Sequence, residues 1–128
     1  MRIAITSTGS SLDDEVDPRF GRCQYFIIVD PETRAFEALE NTAAVSAGGA
    51  GIANGQMIAG KGVEAVLTGN CGPNAFQVLS RSRIQVITGV SGTVKDAIDR
   101  YKAGELRATS GPTVRAHDGM DMGPRGTA

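Results

Sequence analysis

Residues 64–89 read EAVLTGNCGPNAFQVLSRSRIQVITG, two short apolar runs separated by a stretch with helical character. Glu64–Gly69 suits a buried strand, and Ile84–Gly89 suits another. Between them Gly72-Pro73 opens a short helix, because proline at the first helical position lacks an N–H that would be unsatisfied there anyway. Phe76 and Leu79 then face the core. A strand, a helix and a strand in this order predict a right-handed crossover between parallel strands. Downstream, Thr93–Ala103 reads as a helix. Val94, Ala97, Ile98 and Tyr101 form one apolar stripe, Thr93 and Asp96 resemble a capping box, and Gly104 can end the element. Upstream, Ala50–Lys61 reads as a further helix, with Ala50, Ala53 and Met57 at helical spacing and Gly62 as its C-cap.

The N-terminal part carries three strands. Arg2–Ser7 alternates, with Ile3 and Ile5 on one face. Gln24–Asp30 is a nearly continuous apolar run, and Arg34–Glu40 is a weaker strand joined to it by a hairpin. Thr8–Arg22 and Asn41–Gly51 are loops. The predicted order is β-β-β-α-β-α-β-α, an α/β domain with a mixed sheet and helices on both faces. From Ser110 the chain reads SGPTVRAHDGMDMGPRGTA, with no periodicity, so residues 1–109 are expected to form the domain and 110–128 a flexible tail.

The chain has 128 residues, a length that suits one domain with its own core. Thirteen basic residues against fourteen acidic ones give a net charge of −1, so no basic surplus points to nucleic acid or an anionic membrane. The opening MRIAITSTG is a strand rather than a leader, and no apolar run reaches membrane length. A cytoplasmic location with reduced thiols is the expectation. Two cysteines, Cys23 and Cys71, cannot supply the four thiolates of a protein-ligated iron–sulfur cluster.

Asp17-Pro18-Arg19-Phe20-Gly21-Arg22-Cys23 is the most unusual stretch. Two arginines flank a Phe-Gly turn, and guanidinium donors that never lose their charge suit an anionic ligand. The alternative is that Arg19 pairs on the surface with Asp13, Asp14, Glu15 or Asp17. Ser46–Gly55, SAGGAGIANG, brings glycines to a helix start, where backbone N–H groups can approach a ligand. It is not the dinucleotide fingerprint, because Asn54 stands where the third glycine belongs and the run follows the third strand. A packing role for its small residues remains open. Thr68-Gly69-Asn70-Cys71-Gly72-Pro73 lies at a strand's carboxyl end, where ligands gather in open α/β sheets. Cys71 beside a helix N-terminus is read as a thiol of depressed pKa and a candidate soft ligand, the alternative being a small buried hydrophobe. Cys23 is read as structural. In the tail, His117, Met120 and Met122 offer imidazole and thioether groups suited to copper or other soft metals, against the alternative of a solvated tail. The acidic group at 13–17 fails the calcium-loop pattern at Pro18. No Ser/His/Asp or Cys/His set can be built, because the sole histidine is His117.

These residues carry a resemblance. RIAIT, VDPRFGRCQYFIIVD, the Asn41 loop, the glycine-rich helix start and VLTGNCGPNAF together are similar to the dinitrogenase iron–molybdenum cofactor biosynthesis family, with its NifX-like, NifB C-terminal-like and orange-protein-like domains, over about Met1–Gly104. The resemblance implies a ribonuclease-H-like three-layer fold with a five-stranded mixed sheet. It also implies binding of a molybdenum-containing metal–sulfur cluster, Mo–Fe–S as in nitrogenase assembly or Mo–Cu–S as in the orange protein. Carried over, the cluster face is Arg19, Phe20, Gly21 and Arg22, with Asn41, the loop glycines Gly48, Gly49 and Gly51, and Asn70, Cys71, Gly72 and Asn74. Cys71, His117, Met120 and Met122 are the candidate direct metal ligands. Some members hold the cofactor with a histidine, but His117 lies outside the matched region.

The expected function is that of a non-enzymatic carrier or scaffold for an anionic metal–sulfur cluster, working with a partner protein in cluster assembly or delivery, with neither nucleic acid nor membrane involved. The alternative is a protein-interaction or small-anion-sensing module. A nuclease of the same fold needs carboxylates on its central strands. Arg2–Ser7 has none, and the strand at 64–69 has Glu64 alone, at its start.

Overall fold

In a computed structural model, which describes residues 1–42, 50–109 and 111, eight elements follow the expected order. They are β1 (Arg2–Ser7), β2 (Tyr25–Val29), β3 (Phe36–Glu40), α1 (Ala50–Ala59), β4 (Val63–Leu67), α2 (Pro73–Arg81), β5 (Gln85–Ile87) and α3 (Val94–Lys102). The sheet runs β3-β2-β1-β4-β5. β1, β4 and β5 are parallel, and β2 runs antiparallel to both β1 and β3. The mixed five-stranded α/β architecture is therefore as the sequence predicts.

Strand alternation divides the core into two halves. Ala4, Phe26, Ile28, Val66 and Val86 face one side, where Ile58 of α1 and Ala75 and Leu79 of α2 cover them. Ile3, Ile5, Ile27, Val29, Ala65, Leu67 and Ile87 face the other, under Val94, Ala97 and Ile98 of α3. Both faces of β1, β2 and β4 are thus buried, which is why these strands read as nearly unbroken apolar runs. β3 is an edge strand, and its FEALE sequence is exposed or half-buried throughout.

One helix face differs from expectation. In α1, Ala53 is exposed, while Asn54, Gly55 and Ile58 are buried. The cause is the neighbouring helix. A Cβ placed on Gly51 would meet Ala75 Cβ at 3.5 Å, and one on Gly55 would meet the Val78 side chain at 3.1 Å. The two glycines let α1 lie directly on α2, which places Asn54, Gly55 and Ile58 inward and leaves Ala53 outward, while Met57 packs partly buried against the core. α1 ends at Ala59, and the chain reverses through Gly62 at φ +70°. The Thr8–Arg22 connection is bound to the sheet and to α3, with Val16 bridging Ser7, Glu15 bridging Thr93, and the carbonyls of Leu12 and Asp14 accepting the N–H groups of Lys95 and Val94.

The strand directions bring the site's segments to one edge. β1, β4 and β5 end there, β2 starts there and β3 ends there. The chain after Ser7, before Tyr25, after Glu40 and after Leu67 therefore converges.

Candidate functional site

At that edge three segments touch in a closed circuit. Phe20 N donates to Asn70 O at 3.2 Å, and Arg19 forms a parallel bridge with Asn70. Gly21 lies against Gly51, where a Cβ would come within 3.8 Å of the Gly51 nitrogen, and Gly51 in turn lies against Ala75. The arginine turn, the first turn of α1 and the first turn of α2 are thus mutually adjacent. Gly69 admits no side chain, since a Cβ would stand 2.6 Å from Pro18 Cα. This close approach seats the Pro18 turn on the end of β4, and Asn70 Nδ2 adds a bond to Pro18 O at 3.3 Å.

The base of the turn is polar and buried. Thr6 Oγ1 donates to Asp17 O at 2.7 Å and lies 2.9 Å from Thr68 Oγ1, linking β1, the turn and the end of β4. The Asp17 side chain is 3% exposed, and its Oδ1 accepts from Arg19 N at 2.9 Å. Arg19 Nε sits 3.5 Å from the same oxygen. Of the two readings of Arg19, pairing with a neighbouring carboxylate is observed, but the carboxylate is a buried one and the guanidinium remains largely in solvent. Arg22 is exposed, and among the described residues it makes no ion pair.

Two carboxamides close the circuit from beneath. Asn41 Nδ2 donates to Cys23 O at 2.8 Å and to Gly21 O at 3.3 Å, and Asn54 Nδ2 donates to the same Gly21 oxygen at 3.3 Å. Asn41 Oδ1 is a buried acceptor without a hydrogen-bond partner among the described residues. Gly72 is the N-cap of α2 and brings no side-chain acceptor to the first-turn amides. The first turn of α3, by contrast, is closed by Thr93 Oγ1 and by the carbonyls of Leu12 and Asp14.

The candidate residues separate accordingly. Arg19, Gly21, Arg22, Asn41, Gly51, Asn70 and Gly72 meet at this edge, and Asn74 is exposed on the first turn of α2. Phe20 is corrected. Its ring is 2% exposed and packs edge-on against Phe26 with centroids 5.3 Å apart, so it anchors the turn in the core rather than facing a ligand. The depressed pKa expected for Cys71 is also corrected. The residue is fully buried in the apolar half of the core beneath α1 and α2, and burial pushes its thiol up from 9.0 to about 12. Cys23 rises to about 12 as well, through burial first and then the nearby negative charge of Asp17. Gly48, Gly49, His117, Met120 and Met122 lie outside the described residues. Among the described residues no group of three or more His, Cys, Asp or Glu side chains is placed to hold a metal ion. Glu64, the strand carboxylate a nuclease reading would need, lies near the start of β4 at the opposite edge and accepts from Tyr101 Oη at 2.7 Å. No helix among the described residues is long and apolar enough to cross a membrane.

Sequence reasoning misses the role of Asn54 and the burial of Asp17. Asp17 is named there only as one of four surface partners for Arg19, and Asn54 only as the residue that breaks a glycine fingerprint. A polar residue between two glycines on a helix's packing face is a signal, but it is readable only once that face is known.

Comparison with known proteins gives concordant results. A model of the family described as dinitrogenase iron-molybdenum cofactor matches residues 1–104. The structure is similar to the apo form of the orange protein from Desulfovibrio gigas, with 41% identity and a TM-score of 0.84 over 88% of this chain and 95% of that one. A Thermotoga protein of the DUF35 family, provisionally named as a NifB protein, is 40% identical with a TM-score of 0.73 over 84% of this chain and 91% of that one. An uncharacterised protein of Methanocaldococcus jannaschii is 32% identical over 97 residues, which are 73% of this chain and 82% of that relative.

Proposed function

The chain belongs to the dinitrogenase iron–molybdenum cofactor family, and from that premise we propose that it binds an anionic molybdenum-containing metal–sulfur cluster as cargo and carries it for assembly or delivery, without catalysing a reaction. The observation that carries this reading is the meeting of the Arg19–Arg22 turn with the first turns of α1 and α2 at one sheet edge. Each part favours negative charge. Helix first turns present N–H groups and a partial positive charge, and Arg22 adds a formal charge with no ion-pair partner among the described residues. The donors are those of an anion site rather than of a bare cation, in keeping with a thiometallate whose sulfides accept hydrogen bonds. Each charge-assisted contact contributes roughly 1.5–3 kcal/mol, so a few together hold a cluster without a covalent ligand. Cys71 is not needed as a ligand, and its burial argues against that role.

The two arginines have different tasks in this reading. Arg19 balances the buried Asp17 carboxylate, so its charge is already partly engaged. Arg22 is the principal ligand contact. Anaerobic titration with tetrathiomolybdate, with and without copper(I), tests this. Saturable visible absorption is expected, with backbone resonances shifting at 19–22, 51 and 70–74. Arg22→Ala should weaken binding about ten-fold or more, the equivalent of one charge-assisted contact, at unchanged thermal stability. Arg19→Ala should cost less affinity and lower the melting temperature, because it strips Asp17 of its counter-charge. Wild-type protein that shows neither saturable absorption nor resonance shifts would rule the reading out.

A further inference from the structure

We infer that Asn41 and Asn54 are positioning residues that clamp the Gly21–Arg22 peptide and hold Arg22 ready for the anion, an inference that rests on the cluster-binding reading above. The two side chains come from different elements, the end of β3 and the middle of α1, yet both donate to one carbonyl, Gly21 O, at 3.3 Å. Asn54 is 2% exposed and Asn41 is 7% exposed. Burying an amide is costly unless it is hydrogen-bonded, and the neighbours of Asn54 on the packing face of α1 are Gly51, Gly55 and Ile58. An apolar side chain would fill that place at lower cost, so what the carboxamide contributes is its bond to the turn.

That bond falls where it controls Arg22. The Gly21 carbonyl belongs to the peptide whose nitrogen is that of Arg22, so fixing the oxygen fixes the plane from which the arginine departs. The rest of the turn is pinned on either side, by the Phe20 ring in the core and by Asn41 Nδ2 on Cys23 O at 2.8 Å. Arg22 is thus an exposed side chain on an immobilised peptide. Ordering the backbone beforehand removes a cost from binding. Because Asn54 sits on α1, the clamp also ties the arginine to the helix whose first turn faces the same ligand.

The test is a double-mutant cycle on the full chain, with tetrathiomolybdate as the probe. Asn54→Leu keeps the approximate volume and removes the donor, and Asn54→Asp keeps the shape and removes the donor. In either background affinity should fall about five-fold while far-ultraviolet circular dichroism is retained. Arg22→Ala combined with Asn54→Leu should bind no more weakly than Arg22→Ala alone, because the clamp acts through Arg22. Additive losses would reduce Asn54 to a packing residue and overturn the inference. The apo protein supplies an independent readout, since the backbone order parameter at Arg22 should fall in Asn54→Leu while those of β4 are unchanged. A wild-type-like order parameter at Arg22 also overturns the clamp, even if the wild-type chain binds tetrathiomolybdate. If the wild-type chain fails to bind, the cluster reading falls, and the order parameter still decides whether the clamp exists.

Discussion

The Cys71 thiol lies just before the first turn of α2, where the helix's partial positive charge favours a thiolate by roughly 0.3–1 kcal/mol. Its surroundings oppose ionisation more strongly. The residue is fully buried among apolar side chains, and burial takes its pKa to about 12. Cys23 reaches about 12 with Asp17 adding to burial. Both thiols are therefore neutral near pH 7 in the folded protein, and alkylation is expected to require opening of the core. Iodoacetamide should label both slowly in native conditions and quickly in urea, with no preference for Cys71. Fast native labelling of Cys71 alone would restore the thiolate. Stability follows from the same shifts. A thiol whose folded pKa lies above its unfolded value of 9.0 stabilises the fold fully below about pH 9, and that contribution is lost as pH rises toward about 12. The urea midpoint should accordingly fall on the alkaline side, and replacing Cys71 by alanine should flatten that fall. The location of Cys71 at a strand end was legible in the sequence. Its burial stood there only as one of two readings, because the helices that cover it are set by contacts distant along the chain.

At the scale of single elements, legibility followed locality. α3 was readable in full, since its stripe of Val94, Ala97 and Ile98 and its cap Thr93 lie within one short segment. Thr93 Oγ1 accepts from Asp96 N at 3.1 Å, so Thr93→Ala should destabilise the domain by about 1 kcal/mol, seen as a lower urea midpoint at constant slope. Thr93→Ser should recover most of that loss, and an alanine variant as stable as wild type would mean that the carbonyls of Leu12 and Asp14 suffice to close this helix end. α1 was readable as a helix but not in its orientation. Its buried face is chosen by Ala75 and Val78 on α2, and spacing within α1 carries no information about them. The candidate site divides in the same way. The arginine turn and the 70–72 segment announced themselves by composition. Asp17 and Asn54 acquire meaning only when three segments far apart in the chain meet.

For the whole molecule, the remaining question is where the folded unit ends and whether the site needs what lies beyond it. After α3 the chain returns to the sheet. Thr109 N donates to Val86 O at 2.7 Å, Thr109 Oγ1 accepts from Thr88 N at 3.0 Å and lies 2.7 Å from Thr88 Oγ1, and Leu106 packs on the α3 side of the core. Thr109 thereby lies against the outer edge of β5, which is the end strand of the sheet. Ending the chain at Gly104 removes these bonds and uncovers apolar surface. At roughly 0.5–1.5 kcal/mol per hydrogen bond the loss is a few kcal/mol, and a melting temperature lower by about 10 °C is expected. Ending it at Gly111 spares all of these contacts, and the sequence beyond offers no apolar stripe, so the melting temperature should match that of the full chain. The second truncation also removes His117, Met120 and Met122. If the arginine turn and the two helix starts hold the cargo, the chain ending at Gly111 should bind tetrathiomolybdate with the affinity of the full chain, with or without copper(I). A truncated chain that melts normally but binds copper-containing cluster more weakly would assign those three side chains to the metal, and the sheet-edge site would then be half of a larger one.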